Sequence, residues 1–280
     1  MSERQDFSRE SAILQDLAAF GQVFVNELAA RFGISTVTIR KDLDFLERRS
    51  LLSRVRGGAV RVALKDEGDF SYRLRLYAEA KKAIARQVAS LVRDGDVIAI
   101  DSSTTCFYLA RELLNRRDLV VITNGLRTAT LLLEQSTAMV VVPGGVLRRA
   151  SASMVAQFGD FLAGRGRIDK GFFGTKSISL KLGLLELSSE EAEAKKYMIR
   201  SCDLVYALFT AAKITEFGLH SFAKPDALSG IYTDTTVPAD FVGKWQQIGV
   251  PVTLVDPTAP VLSARPAGPV RILHPEEQAI

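Results

Sequence analysis

The chain has 280 residues, 47% of them hydrophobic and 24% charged, with a formal net charge of +4. That length admits two domains, and no apolar run approaches the roughly 18 residues of a membrane span. Two cysteines and two histidines exclude a disulfide framework and a clustered metal site, and the polar start Met1-Ser2-Glu3-Arg4-Gln5-Asp6 shows no secretory signal, so a cytoplasmic location is expected.

Ser8 is placed to cap a first helix running to Phe20, with Ile13, Leu14 and Leu17 apolar and Gly21 ending it. A second helix is predicted from Val25 to Phe32, preceded by Phe24 where a capping hydroxyl would normally stand. Gly33 supplies a tight turn, and Ser35 caps a third helix continuing to Arg49. In that helix Ile39, Leu43 and Leu46 form the i, i+4, i+7 stripe that faces a core. The opposite face carries Thr36, Thr38, Arg40 and Lys41, hydroxyls and cations of the kind that grip phosphates and read guanine edges in a major groove. Leu51 to Val62 then contains two β-prone runs about Gly57-Gly58, the pattern of a hairpin with Arg54, Arg56 and Arg61 on or beside it. Three helices followed by a basic hairpin read as a winged helix-turn-helix. Between Arg31 and Arg61 eight cations face three acids, so the positive charge is concentrated where DNA would lie.

The polar run Lys65-Asp66-Glu67-Gly68-Asp69 reads as linker, and a helix from Tyr72 to Val92 is predicted to open the second domain. Beyond it, strands are predicted at Val97–Ile100, Leu119–Thr123, Met139–Val142, Gly171–Phe173, Leu204–Phe209, Gly230–Thr233 and Val252–Val255. Helices are predicted at Thr104–Leu114, Leu126–Glu134, Met154–Ala163, Ser189–Arg200 and Ala239–Gln247. Short continuous apolar strands alternating with helices indicate an α/β domain whose mainly parallel sheet is covered on both faces. The tail after Asp256, with five of the nine prolines, is expected to be flexible. The expected domains are residues 1–62 for DNA binding, 63–71 as linker, 72–256 as an effector-sensing domain and 257–280 as tail.

Four polar loops follow predicted strands, where open α/β sheets collect ligands. Asp101-Ser102-Ser103-Thr104-Thr105 runs into a helix start and combines free backbone N–H groups with four hydroxyls, a pocket suited to a phosphate. Thr123-Asn124-Gly125, Pro143-Gly144-Gly145 and Gly174-Thr175-Lys176 complete the set, and Lys213 adds a cation after the Leu204–Phe209 strand. Cys106 is a nucleophile on paper, but neither His220 nor His274 sits in a partner motif; a small buried apolar residue is the expected role.

Thr38-Ile39-Arg40-Lys41-Asp42-Leu43 followed by Arg54-Val55-Arg56-Gly57-Gly58-Ala59 resembles the N-terminal signature of DeoR-type bacterial transcriptional regulators. That family usually reads Thr-Ile-Arg-Arg-Asp-Leu and Arg-x-His-Gly-Gly-Ala, so Lys41 and Arg56 are departures that keep a basic side chain; lysine lacks the bidentate fork of arginine. The similarity continues through the loops above and Glu191-Ala192-Glu193-Ala194-Lys195-Lys196, from about residue 8 to 255. It implies a repressor whose C-terminal domain is similar to the ribose-5-phosphate isomerase fold. It also implies an effector that is a phosphorylated sugar or related metabolite. Near Lys213 the family commonly has Asp-x-x-Lys, whereas Thr210 stands here in place of the acid, and Asp169 to Gly174 lacks the clustered acids of the isomerase.

These readings predict a homo-oligomer, at least a dimer, placing its third helices in successive major grooves of operator DNA. No cofactor, metal or catalytic residue is expected. Ser35, Thr36, Thr38, Arg40, Lys41, Arg54 and Arg56 are the expected DNA contacts. Asp101, Ser102, Ser103, Thr104, Thr105, Asn124, Gly144, Gly145, Gly174 and Lys213 are the expected effector contacts. The alternative is a sugar-phosphate isomerase or hydrolase with an accessory N-terminal domain, which needs an acid–base pair such as Asp101 with Glu191 or Lys213. An RNA-binding role would call for aromatics interleaved with the basic surface, and they are lacking.

Overall fold

The computed structural model describes residues 3–48, 51–60, 69–155 and 167–258. The N-terminal unit comprises α1 (Glu3–Phe20), β1 (Gln22–Phe24), α2 (Val25–Phe32), α3 (Thr36–Arg48), β2 (Ser53–Val55) and β3 (Gly58–Val60). Ile13, Leu14 and Leu17 of α1, Leu28 of α2 and the Ile39, Leu43, Leu46 stripe of α3 close one core with Leu51, Leu52 and Ala59. Gly33 ends α2 in the left-handed conformation at φ 65°, which only glycine adopts without strain. Arg9 holds α1 against α3 through both carboxylate oxygens of Asp42, at 2.6 and 2.9 Å.

Three expectations change here. The first helix begins at Glu3, so Ser8 lies inside it rather than at its cap. Val23 and Phe24 form β1, a strand that exists only because β3 pairs with it, Val23 opposite Ala59 and Phe24 opposite Gly58. The wing turn is Arg56-Gly57, with Gly57 at φ 85°, rather than the Gly-Gly pair. Gly58 belongs to β3, where a Cβ would collide with the carbonyl oxygen of Val23. The two glycines thus do different work, one in the turn and one in the close approach of strands. Arg61 and the predicted linker as far as Gly68 lie outside the described residues.

The C-terminal unit opens with α4 (Phe70–Arg75) and α5 (Ala78–Ala89) where one continuous helix was predicted. Leu76 and Tyr77 break it, and Tyr77 takes φ 54°, a left-handed conformation costly for an aromatic residue. There follow β4 (Val97–Ile100), α6 (Thr104–Glu112), β5 (Val120–Thr123), α7 (Leu126–Gln135), β6 (Met139–Val141), β7 (Val146–Arg148), β8 (Ser153–Val155) and β9 (Ile168–Phe173). The described chain ends with β10 (Ser177–Ser179), β11 (Gly183–Glu186), α8 (Ser189–Ile199), β12 (Cys202–Leu208), β13 (His220–Ala223), β14 (Gly230–Asp234), α9 (Phe241–Gln247) and β15 (Val252–Val255).

The seven predicted strands are the seven of one parallel sheet, in the order β15-β14-β12-β9-β4-β5-β6. Successive side chains serve opposite cores. Ile98, Ile100, Val121 and Phe172 pack with Ile84, Val88, Leu109 and Leu132 of α5, α6 and α7. Ala99, Ile122 and Phe173 pack with Met198, Phe241 and Trp245 of α8 and α9. The predicted helix Met154–Ala163 is corrected at its start: Met154 and Val155 are in β8, paired antiparallel with β7, and residues 156–163 lie outside the described set. The small antiparallel sheet β10-β11-β13 was not anticipated. From Ala259 onward the predicted tail also lies outside the described residues.

Candidate DNA-binding face and effector cavity

On α3 the core stripe leaves Val37, Arg40 and Lys41 exposed on the outer face, with Thr36 and Thr38 half-buried. Ser35 accepts the N–H of Thr38 at 3.1 Å, so its hydroxyl starts the helix as well as bordering that face. Arg56 stands exposed at the wing turn. Arg54 is differently engaged. Its guanidinium pairs with Asp44 of α3 and donates to the carbonyls of Arg40 at 3.3 Å and Gly58 at 3.2 Å, while its N–H donates to Glu47 at 2.7 Å. Arg54 therefore locks the wing to α3. Val37, which the sequence reading passed over, adds an apolar group of the kind that meets a thymine methyl.

The second site is a cavity of about 370 Å³ at the carboxyl ends of β4, β9 and β12, within the size range of small-ligand sites. The helix start Ser102 to Thr105 forms part of its floor, together with Gly174 and Thr210. Ser103 caps α6 by accepting the N–H of Cys106 at 3.2 Å. The α4–α5 junction covers the cavity with Arg73, Tyr77 and Lys81, and the β10-β11-β13 side contributes Lys176 and Glu186.

Charge divides this cavity. Lys195 of α8 is buried between Asp101 at 2.7 Å and Glu186 at 2.5 Å and donates to the carbonyl of Gly174 at 2.9 Å. Burial alone would lower its pKa, but the two carboxylates outweigh that and hold the ammonium above its usual range. Lys81 has no such compensation, and Lys213 has only part of it, from Glu216 at 3.9 Å. Burial, then the charges of Lys213 and Arg73, push Lys81 well below the usual lysine value. Burial brings Lys213 down to about 8, opposed by Glu216 and reinforced by Lys176 and Arg73. Cations crowded and dehydrated in this way are stabilised by an incoming anion. Elsewhere in the wall, Glu191 accepts from Ser153 at 2.5 Å and Arg148 at 3.3 Å through Oε1, while its buried Oε2 has no partner among the described residues. The hydroxyl of Thr210 is buried and likewise without a partner. Two polar atoms of the cavity wall are thus left for a ligand to satisfy.

Two family models match the chain. The DeoR-like helix-turn-helix domain covers residues 9–64, and the DeoR C terminal sensor domain covers residues 77–235. The chain belongs to the DeoR family. It is a DNA-binding transcriptional regulator with an α/β sensor domain. A relative from Escherichia coli O157:H7, named for repression of an aga operon, is 30% identical over 88% of this chain and 93% of its own. The glycerol-3-phosphate regulon repressor of Escherichia coli is 28% identical over 82% of this chain and 91% of its own. Among solved structures, ribose 5-phosphate isomerase from Plasmodium falciparum is similar at a TM-score of 0.37 and 18% identity, over 51% of this chain and 55% of that one.

In this DeoR-family sensor domain the expected effector residues separate into two groups. Ser102, Ser103, Thr104, Thr105, Gly174 and Lys213 line the cavity together. Asp101 does not: its carboxylate is fully buried and spent on Lys195, the N–H of Ser103 and the N–H of Gly174. Asn124 is also fully buried, donating to the carbonyl of Met154 at 3.3 Å, and Gly144 and Gly145 lie in the loop after β6, away from the lining. Cys106 is buried, donates to the carbonyl of Phe172, and burial followed by Asp101 raises its thiol pKa well above the usual value, so no thiolate is available. Arg73, Lys81, Glu186 and Lys195 are cavity residues that sequence reasoning missed. Glu191 was weighed as half of a catalytic pair and, like Lys195, placed in the family motif without a binding role.

Proposed function

We propose that the protein is a cytoplasmic repressor of carbohydrate-linked genes that binds paired operator half-sites as a homo-oligomer and responds to a phosphorylated sugar or similar metabolite. The observation that carries this reading is the polarity of the cavity. Arg73, Lys81, Lys176 and Lys213 line it and suit a phosphate, while the partnerless Oε2 of Glu191 and hydroxyl of Thr210 suit the hydroxyls of the attached sugar. The names of the aga and glycerol-3-phosphate relatives support repression and a carbohydrate connection. On the DNA side, Arg40 is assigned to base edges, Thr36, Thr38 and Lys41 to bases or phosphates, and Arg56 to the backbone beside the wing. Sensing is favoured over turnover because Asp101, the group common to both nominated acid–base pairs, is fully buried on Lys195 and two backbone N–H groups and does not line the cavity.

The test is a thermal-shift screen of the full chain against phosphorylated sugars and their unphosphorylated counterparts, followed by release of operator DNA selected in vitro. A ligand binding the folded form at a hundred times its Kd adds about 2.7 kcal/mol of stability, a clear shift. Stabilisation by the phosphorylated members and loss of DNA binding are expected. Equal shifts by the unphosphorylated sugars would overturn the phosphate assignment, and turnover of ribose 5-phosphate would overturn the sensing role.

A further inference from the structure

Between the cavity and the DNA-binding unit stands α4, and each of its faces belongs to a different site. Arg73 and Tyr72 border the cavity. Tyr72 is also part of the apolar core built by α1, α2 and α3. Arg75, which does not line the cavity, donates its Nε to Oε2 of Glu10 in α1 at 2.8 Å, both side chains being about nine-tenths buried, and its guanidinium lies over the ring of Phe45 in α3. The end of α4 is held from the sensor side by its carbonyls. The ammonium of Lys81 donates to the carbonyl of Arg73, the hydroxyl of Thr104 approaches the same oxygen at 3.5 Å, and the hydroxyl of Tyr108 donates to the carbonyl of Leu74 at 3.2 Å. Immediately after comes Tyr77, held at positive φ, a backbone conformation costly for a non-glycine residue.

We propose that Lys81 is a two-position latch: without ligand it holds the Arg73 carbonyl and fixes α4, and an anion in the cavity takes it over and frees α4 to shift the DNA-binding unit through Arg75 and Glu10. This rests on the reading of the cavity as an anion site. The chemistry is an exchange of acceptors. A buried ammonium donating to a neutral carbonyl gains more from a phosphate oxygen, and the carbonyl loses its strongest donor in the process. Coupling then requires only that ligand affinity differ between the fixed and freed states of α4.

The test is amide hydrogen exchange on the full chain with inorganic phosphate and, separately, ribose 5-phosphate as probes. In the wild-type protein the amides of 102–106 are expected to gain protection while those of 70–77 and 10–14 exchange about five- to tenfold faster, the loss of roughly one hydrogen bond. Lys81→Met should make 70–77 exchange fast without any probe. In Arg75→Met, or Glu10→Gln if that variant is unstable, the probe should still protect 102–106 and loosen 70–77, but leave 10–14 unchanged. Failure of either probe to protect 102–106 in wild type overturns the anion site itself and the latch with it. Protection at 102–106 with no change at 70–77 overturns the latch alone. An undiminished response at 10–14 in both Arg75→Met and Glu10→Gln overturns the route through that pair.

Discussion

Lys195 Nζ lies 2.7 Å from Oδ2 of Asp101, a fully buried pair joining the middle of α8 to the carboxyl end of β4 beside the cavity. Because Glu186 shares the same ammonium, removing the lysine leaves two carboxylates in the interior with one cation fewer. Breaking a buried pair from one side costs about 3–5 kcal/mol. Lys195→Met is therefore expected to lower the urea midpoint by that equivalent at unchanged slope; an unmoved midpoint would show that the pair adds nothing net to stability.

Arg40 has no side-chain partner in the described structure and faces outward from α3 beside Lys41. Arg40→Ala should lose about 1–3 kcal/mol of discrimination between operator and unrelated DNA, with ligand binding intact. Lys41→Ala should instead weaken both DNAs alike and reduce the salt slope by about 1, measured by anisotropy titrations over a range of salt. Equal operator preference in Arg40→Ala and wild type would move base reading off this residue.

Gly58 packs so closely on Val23 that any Cβ strikes its carbonyl. Gly58→Ala should part β3 from β1 and destabilise the DNA-binding unit by about 1–3 kcal/mol, while ligand-induced stabilisation of the sensor domain persists. Calorimetry of the full chain tests this, and an unaltered trace would contradict the close strand approach.

Ser103 caps α6 at the cavity floor. Aspartate is as good a cap, so Ser103→Asp should fold normally and yet repel an anion from the site. Operator binding that no longer responds to the effector is the expected result of a gel-shift titration. Normal release would place the phosphate elsewhere.

The pH dependence follows from Lys213. Its ammonium is full well below about 8 and lost above it, whereas a phosphate monoester with its second pKa of ~6 stays a dianion throughout that range. Effector affinity should hold near pH 7 and fall as pH rises through about 8, and Lys213→Arg should flatten the profile in titration calorimetry. The same depressed value works the other way on the ligand-free fold. Between about 8 and the ordinary 10.5 the unfolded chain binds the extra proton, so stability from this group rises with pH.

The main sheet was legible because its strands are short apolar runs buried on both faces, as in Val97–Ile100 and Val120–Thr123. Strand β1 was not, since nothing local marks Gln22 to Phe24 as extended; its partner is Gly58 to Val60, far along the chain. Met154 and Val155 read as helix for the same reason, their β7 partner being the deciding contact. The helix start at Ser102 to Thr105 was readable from its hydroxyls. Lys81 and Lys195 were not, because a lysine on an amphipathic helix looks solvated until the fold turns it inward. Asp101 shows the converse: a carboxylate in a polar loop reads as a ligand contact until its partners are seen to be Lys195 and two backbone N–H groups.

Tyr72 comes after the polar run Lys65–Asp69 in the sequence and yet completes the core of the preceding unit, with Arg75 reaching back to Glu10. A biosensor engineer grafting this DNA-binding head onto a foreign receptor should therefore cut after α4 rather than within the polar run Lys65–Asp69. A transplant ending before Phe70 would expose an apolar socket and strand a buried glutamate; one carrying residues through Leu76 keeps the head sealed.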